Sequence, residues 1–255
     1  MSVLHGSSIG AVEDALELVL DGNSNYINGQ QWNAAGGRDG TKVVMVNGPT
    51  YNQLGTIGYW RFNGSNQYGY ITNLNYGPNS DDGEFPKLTC HVWFRTSANS
   101  GSTSISANWS FIDFDRSEVF NFYPMQNGRL GFSGYAGNTS PTYLDRQSTN
   151  ANIANNQWRL GTAVWDNSLS TGTLKFYIDG ELDSSYNHNG ANPLGRPRSR
   201  RWGFIGEGSE AAGENGSRNN TYYQGDIARI VLLKSAQTAN DVREEYLKHK
   251  VRFGL

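Results

Sequence analysis

The octapeptide Leu88-Thr-Cys-His-Val-Trp-Phe-Arg95 restricts the fold more than any other stretch of the chain. Leu88, Cys90, Val92 and Phe94 alternate with Thr89, His91, Trp93 and Arg95. Successive side chains of a β-strand point to opposite faces, so this pattern sends one apolar face to a core. On a helix the same apolar positions would be scattered around the cylinder. Comparable segments recur at ALELVLD (15–21), VVMV (43–46), GYWRFNGSNQYGYI (58–71), SFIDFD (110–115), VFNFY (119–123), GRLGFSG (128–134), WRLGTAVWD (158–166), TLKFYIDGEL (173–182) and GDIARIVLLK (225–234). Between them stand Asn-Gly and Asp-Gly turn signals, drawn from 31 glycines. Residues 22–42 read as a loop.

Only the C-terminus has helical character. Thr238-Ala-Asn-Asp241 has the form of a capping box, and Val242, Tyr246 and Leu247 follow at helical spacing. The expectation is an all-β protein: an antiparallel β-sandwich of the jelly-roll kind with a short C-terminal helix. Residues 1–14 read as an N-terminal arm and residues 15–255 as a single domain, since no repeat or linker interrupts them.

Charged residues make up 17% of the chain and the net charge is -2, so nothing favours nucleic acid as a partner. No stretch reaches the roughly 18 apolar residues of a membrane span. The N-terminal decapeptide lacks a basic segment followed by an apolar run and does not read as a secretory signal. Cys90 is the single cysteine, which excludes an intramolecular disulfide, and its inward parity makes it a small core residue.

Several segments, in order, resemble the laminin G-like jelly rolls of the concanavalin A-like lectin/glucanase superfamily. They are Phe62-Asn-Gly64 with Tyr70-Ile71, the 88–95 strand, Trp158 with the Leu174-Lys-Phe-Tyr-Ile-Asp-Gly180 hairpin, and Gly225-Asp-Ile-Ala-Arg-Ile230 followed by a short helix. A second resemblance lies at the start. Leu18-Val-Leu-Asp21, a Gly/Asn-rich loop with Trp32, Val46-Asn-Gly-Pro-Thr50 and Phe62-x-Gly-x-x-x-Tyr68 are similar to a layout found in bacteriophage structural proteins. That resemblance implies a non-enzymatic virion component on the particle exterior: a capsid decoration, head-fibre or tail-fibre protein. Its partners would be other virion proteins and further copies of itself as a homo-oligomer, with adhesion to a cell-surface glycan. A stand-alone carbohydrate-binding module is the alternative.

Asp113-Phe-Asp115-Arg-Ser-Glu118 is similar to the bulged Glu-x-Asp-x-x-Glu strand of jelly-roll glucanases, with Asp in place of the first Glu. Retaining chemistry needs its two carboxyls about 5–5.5 Å apart. The shortened Asp113 reaches poorly, and without a bulge Glu118 falls on the opposite face, so no catalytic residue is expected. The resemblance also implies Ca²⁺ at a sandwich rim, with Asp113 and Asp115 as candidate ligands and Asp179 and Asp226 as further oxygen donors. Sugars stack on aromatic rings and pair with polar side chains. The non-core face of the 88–95 strand therefore supplies His91, Trp93 and Arg95 as glycan candidates, joined by Trp109 and Asp113 at matching parity. Trp158 and Trp165 read as packing residues. The one basic cluster, Gly195-Arg-Pro-Arg-Ser-Arg-Arg-Trp202, reads in two ways, as a solvated loop or as a contact for an anionic ligand through Arg198 and Arg200. His5, His188 and His249 have no metal-ligand spacing.

Overall fold

A computed structural model describes residues 15–77, 80, 83–97, 109–125, 127–136, 143–168, 171–189, 192–195 and 199–255. The expected arm over 1–14 lies outside the described residues. The strands are β1 (Leu16–Asp21), β2 (Ile27–Asn28), β3 (Gln31–Gly37), β4 (Lys42–Val46), β5 (Thr50–Leu54), β6 (Ile57–Asn63), β7 (Tyr68–Tyr76), β8 (Lys87–Arg95) and β9 (Ile112–Asp113). They continue as β10 (Phe120–Pro124), β11 (Leu130–Gly134), β12 (Arg146–Gln147), β13 (Arg159–Asp166), β14 (Thr171–Ile178), β15 (Glu181–Asn189), β16 (Arg201–Ile205) and β17 (Gln224–Leu233). An α-helix, α1 (Ala239–Lys250), follows.

Two antiparallel sheets result. The first runs β15, β14, β13, β8, β17, after which β17 pairs with β6 along its start and β1 along its remainder, and β5 pairs with the far side of β6. The second runs β12, β11, β10, β9, β16, β7, β4, β3 and β2. Strand β3 serves both, because its start pairs with β4 and its end with β1. The transfer requires glycine. At Gly37 φ is +95°, and a Cβ would come within 2.4 Å of the Glu17 carbonyl oxygen.

Between the sheets lies a core that includes Leu18, Trp32, Trp60, Phe62, Ile71, Leu88, Cys90, Val92, Phe94, Phe111, Phe122, Phe132, Trp165, Phe176, Ile230 and Leu232. The four apolar residues of the 88–95 alternation all go there, as their parity requires. Trp165 joins them. The outer face of the first sheet is covered by α1, whose capping box forms as expected: Thr238 Oγ1 accepts from Asp241 N, and Asp241 Oδ2 accepts from Thr238 N. Lys248, His249 and Lys250 in its last turn oppose the negative end of the helix dipole.

Three expectations about local structure need correction. Residues 22–42 are not a loop but contain β2 and β3, whose Asn, Gln and Gly residues are held by neighbouring backbones rather than by an apolar face. SFIDFD shrinks to the two residues of β9, because Asp115 sits at φ +67° in the left-handed region and ends the strand. Arg201 and Trp202, read as the tail of a basic loop, open β16, which pairs with both β7 and β9.

Candidate functional site

The residues singled out in the sequence do not form one site. Strand β8 belongs to the first sheet and β9 to the second, so Asp113 and the His91/Trp93/Arg95 face lie on different layers. Matching parity along the chain does not survive the assignment of strands to opposite sheets. His91 is buried, with Nδ1 hydrogen-bonded to Thr162 Oγ1 at 2.8 Å and Nε2 to Gln237 Oε1 at 2.6 Å. Burial holds its pKa below the ordinary histidine value. Trp93 is fully buried. Its ring stacks on Phe253 at 4.1 Å and on Tyr246 at 5.8 Å, so the surface a sugar would need is already occupied by the C-terminal segment. Trp109 is half-buried, edge-on to Tyr223 at 6.2 Å.

The carboxylates are engaged as well. Asp113 accepts from the Asp115 amide at 2.5 Å and from Ser110 Oγ at 3.1 Å. Burial, reinforced by the Asp115 charge, pushes its carboxyl well above the usual range. Asp115 accepts from Arg201 Nε at 2.6 Å and from the amide and hydroxyl of Ser117. Glu118 is 3.5 Å from the same guanidinium and also accepts from the Ser199 amide. Arg201 therefore stands where a cation between Asp115 and Glu118 would stand. Among the described residues no group of three or more His, Cys, Asp or Glu is placed to hold a metal ion. Asp113 and Asp115 do not fit the calcium expectation, and Asp179 is taken by Arg159 and the Leu160 amide. Arg200 is exposed, whereas Arg198 lies outside the described residues.

Of the proposed contacts, Arg95 opens onto a cleft. The cleft has a volume of about 380 Å³ and sits at the rim of the first sheet, where β6, β8 and the start of β17 meet. Such a volume falls within the roughly 300–1,000 Å³ typical of small-molecule sites. Its floor is a cross-strand row, Arg61–Asp226–Arg95, set by register: Asp226 lies opposite Arg61 on β6 and opposite Arg95 on β8. Arg61 donates Nε at 2.7 Å and Nη2 at 3.0 Å to Asp226, and Arg95 donates Nε at 2.9 Å and Nη2 at 2.6 Å. Charge-assisted, forked bonds of this kind are the strong class of protein hydrogen bond.

The walls are polar. Thr50, Asn63, Gln67, Ser97, Asn156 and Gln224 line the cleft. Asn63 Oδ1 accepts from the amides of Ser65 and Asn66 and shapes the β6–β7 turn. Gln67 Nε2 donates to the Gly48 carbonyl at 2.8 Å. Gly225, at φ +147°, brings β17 against β8, since a Cβ there would lie 2.7 Å from the Arg95 carbonyl oxygen. Below the floor is an aromatic column. The Arg95 guanidinium lies 4.9 Å from the Trp158 ring and 5.3 Å from Tyr59. Trp158 then packs on Phe253 at 5.1 Å, and Phe253 on Trp93. Trp158 is thus a packing residue that also orients a cation. Arg61, which completes the row, carries no local sequence signal; a charged residue near the end of a strand is ordinary until its register partner is known.

Residues 63–243 match the family model of a laminin G-type domain described as concanavalin A-like lectin/glucanases superfamily. No curated protein sequence matches the chain. Among solved structures, the receptor-binding domain of botulinum neurotoxin D is similar with a TM-score of 0.63 and 15% identity, over 94% of this chain and 54% of that one. The binding domain of Paraclostridial Mosquitocidal Protein 1 gives 0.60 and 13%, over 93% and 53%. A structure of botulinum neurotoxin type C, a toxin that depends on interaction with two ganglioside molecules to enter cells, gives 0.59 and 14%, over 94% and 53%. The chain spans about half the length of each of these structures. At such identities the likeness is one of fold. With the two-sheet sandwich, the rim cleft and the family match together, the chain belongs to the concanavalin A-like lectin/glucanase superfamily as a laminin G-like jelly roll.

Proposed function

We propose that the chain is a non-catalytic binding module that takes a cell-surface glycan in the rim cleft. The observation that carries this reading is the cleft itself: a rigid Arg61–Asp226–Arg95 floor under a wall of amide and hydroxyl side chains. Sugar hydroxyls are met by such donors and acceptors, and fixed side chains lose little entropy on binding. The ganglioside dependence of a neighbour of the same fold supports the reading by analogy of fold. Against catalysis stands the engagement of Asp113, Asp115 and Glu118 by Arg201, Ser110, Ser117 and Ser199. Fluorescently labelled protein applied to immobilised glycans is expected to bind a restricted set. Ser97→Trp, which fills the cleft from its exposed edge, is expected to abolish that binding. Binding unchanged in Ser97→Trp, or hydrolysis of a β-glucan that Asp113→Asn removes, contradicts the proposal.

A second reading places this module on the exterior of a bacteriophage particle, as a homo-oligomeric decoration or fibre protein in contact with other virion proteins. The layout from Leu18 to Tyr68 favours it. Immuno-electron microscopy of purified particles decides: label on the outer surface supports this location and unlabelled particles reject it.

A further inference from the structure

We infer that the rim cleft selects an acidic sugar, with Arg61 and Arg95 holding its carboxylate. This rests on the glycan reading above. Among the described lining residues two guanidiniums face one carboxylate, and no lysine, histidine or second acid is present. The cleft therefore carries an excess positive charge while the whole chain has a net charge of -2.

The hydrogen-bond inventory shows which groups remain for a ligand. Both oxygens of Asp226 are used, Oδ1 by Arg61 and Oδ2 by Arg61 and Arg95. A neutral sugar hydroxyl finds no uncommitted carboxylate to donate to. Each guanidinium has five N–H donors. Arg61 and Arg95 both spend Nε and Nη2 on Asp226, and Nη1 of each makes no hydrogen bond among the described residues. Two N–H-bearing nitrogens left over at a positively charged floor call for an acceptor with negative charge, and a planar carboxylate matches guanidinium geometry. The Arg95 guanidinium is pinned between Tyr59 and Trp158, so it waits in place rather than reorganising on binding. The Arg61 side chain is 54% exposed and forms the accessible half of the pair.

The test is calorimetric titration with two matched pairs of probes: tri-galacturonate and its trimethyl ester, and sialyllactose and its methyl ester. Within each pair the sugar frame is common and only the carboxylate charge is removed. The acidic member is expected to bind at least about tenfold tighter, the effect of one or two hydrogen bonds to a charged group. Added salt should weaken that preference. Arg61→Gln leaves Arg95 and Asp226 to balance one another and is expected to erase the preference. Gln224→Lys alters an exposed lining residue and is expected to tighten acidic binding several-fold. Equal binding of acid and neutral partner by the wild type overturns this inference and leaves the glycan reading standing. Binding of none of the probes overturns both. If Arg61→Gln does not fold, the sign of the Gln224→Lys effect decides, since no described hydrogen bond uses that side chain.

Discussion

Replacing Trp93 by alanine is expected to lower stability by about 4 kcal/mol, in the roughly 3–5 kcal/mol range for removal of a large aromatic from a packed site. Trp93 is fully buried between β8 and the C-terminal segment, stacked on Phe253 and Tyr246 with interplanar angles of 12° and 11°. Its loss opens a cavity under α1, so amide exchange over residues 239–253 should accelerate before the rest of the chain unfolds. Denaturant midpoints and hydrogen exchange check both parts. The variant separates two roles for the residue. A sugar-stacking tryptophan would lose binding at unchanged stability, whereas a tryptophan that anchors the helix loses stability first. A secondary loss of cleft affinity is also expected, because Phe253 supports Trp158 and Trp158 supports Arg95.

Asp226→Asn is expected to cost about 2–3 kcal/mol and to disorganise the cleft. The Asp226 side chain is 4% exposed and bonds two arginines at once. Removing one partner of a fully buried ion pair costs about 3–5 kcal/mol, because the remaining charge is left without compensation. The figure here is smaller, since Arg61 reaches solvent and regains water. Arg95 has less of this relief. Its side chain is 19% exposed and its guanidinium lies against Tyr59 and Trp158, so it carries more of the penalty. Thermal melts of Asp226→Asn, Arg61→Gln and Arg95→Gln should therefore rank Asp226→Asn and Arg95→Gln well below Arg61→Gln.

Local patterns in the sequence anticipate much of the sandwich. The alternation from Leu88 to Phe94 marks a strand with one core face; Asp179-Gly180 marks the β14–β15 turn, where both residues take positive φ; Thr238-x-x-Asp241 marks the start of α1. These signals are written in neighbouring residues, and local physics reads them. The site is written differently. Arg61 and Asp226 are 165 residues apart and Arg95 and Asp226 are 131 apart, so their meeting depends on strand order and register in the first sheet. No short-range pattern carries that information. Trp93 illustrates the same limit from another side. Alternation shows that it leaves the core between the sheets, but the position of α1 and Phe253 decides that it does not meet solvent. SFIDFD is not the continuous strand its alternation suggests, because the left-handed Asp115 ends β9 after Asp113, and Arg201, from the basic 195–202 segment, pairs with Asp115 and Glu118 beyond it.

The role of the two readings of the basic 195–202 segment follows from the same contacts. Arg201 spends its charge on Asp115 and Glu118, whereas exposed Arg200 has no acidic partner among the described residues. A ligand drawn to Arg200 would meet an exposed side chain. At the rim, by contrast, register, forked hydrogen bonds and aromatic support hold two guanidiniums in place before any ligand arrives.

The most direct test of the rim cleft as the binding site is to map a bound acidic oligosaccharide on the folded protein by amide and arginine side-chain NMR. Shifts confined to Arg61, Arg95, Ser97 and Gln224, with the Nη resonances of both arginines moving most, are the predicted result. Shifts centred on Arg200 or on the 110–118 segment, with Arg61 and Arg95 unmoved, would contradict it.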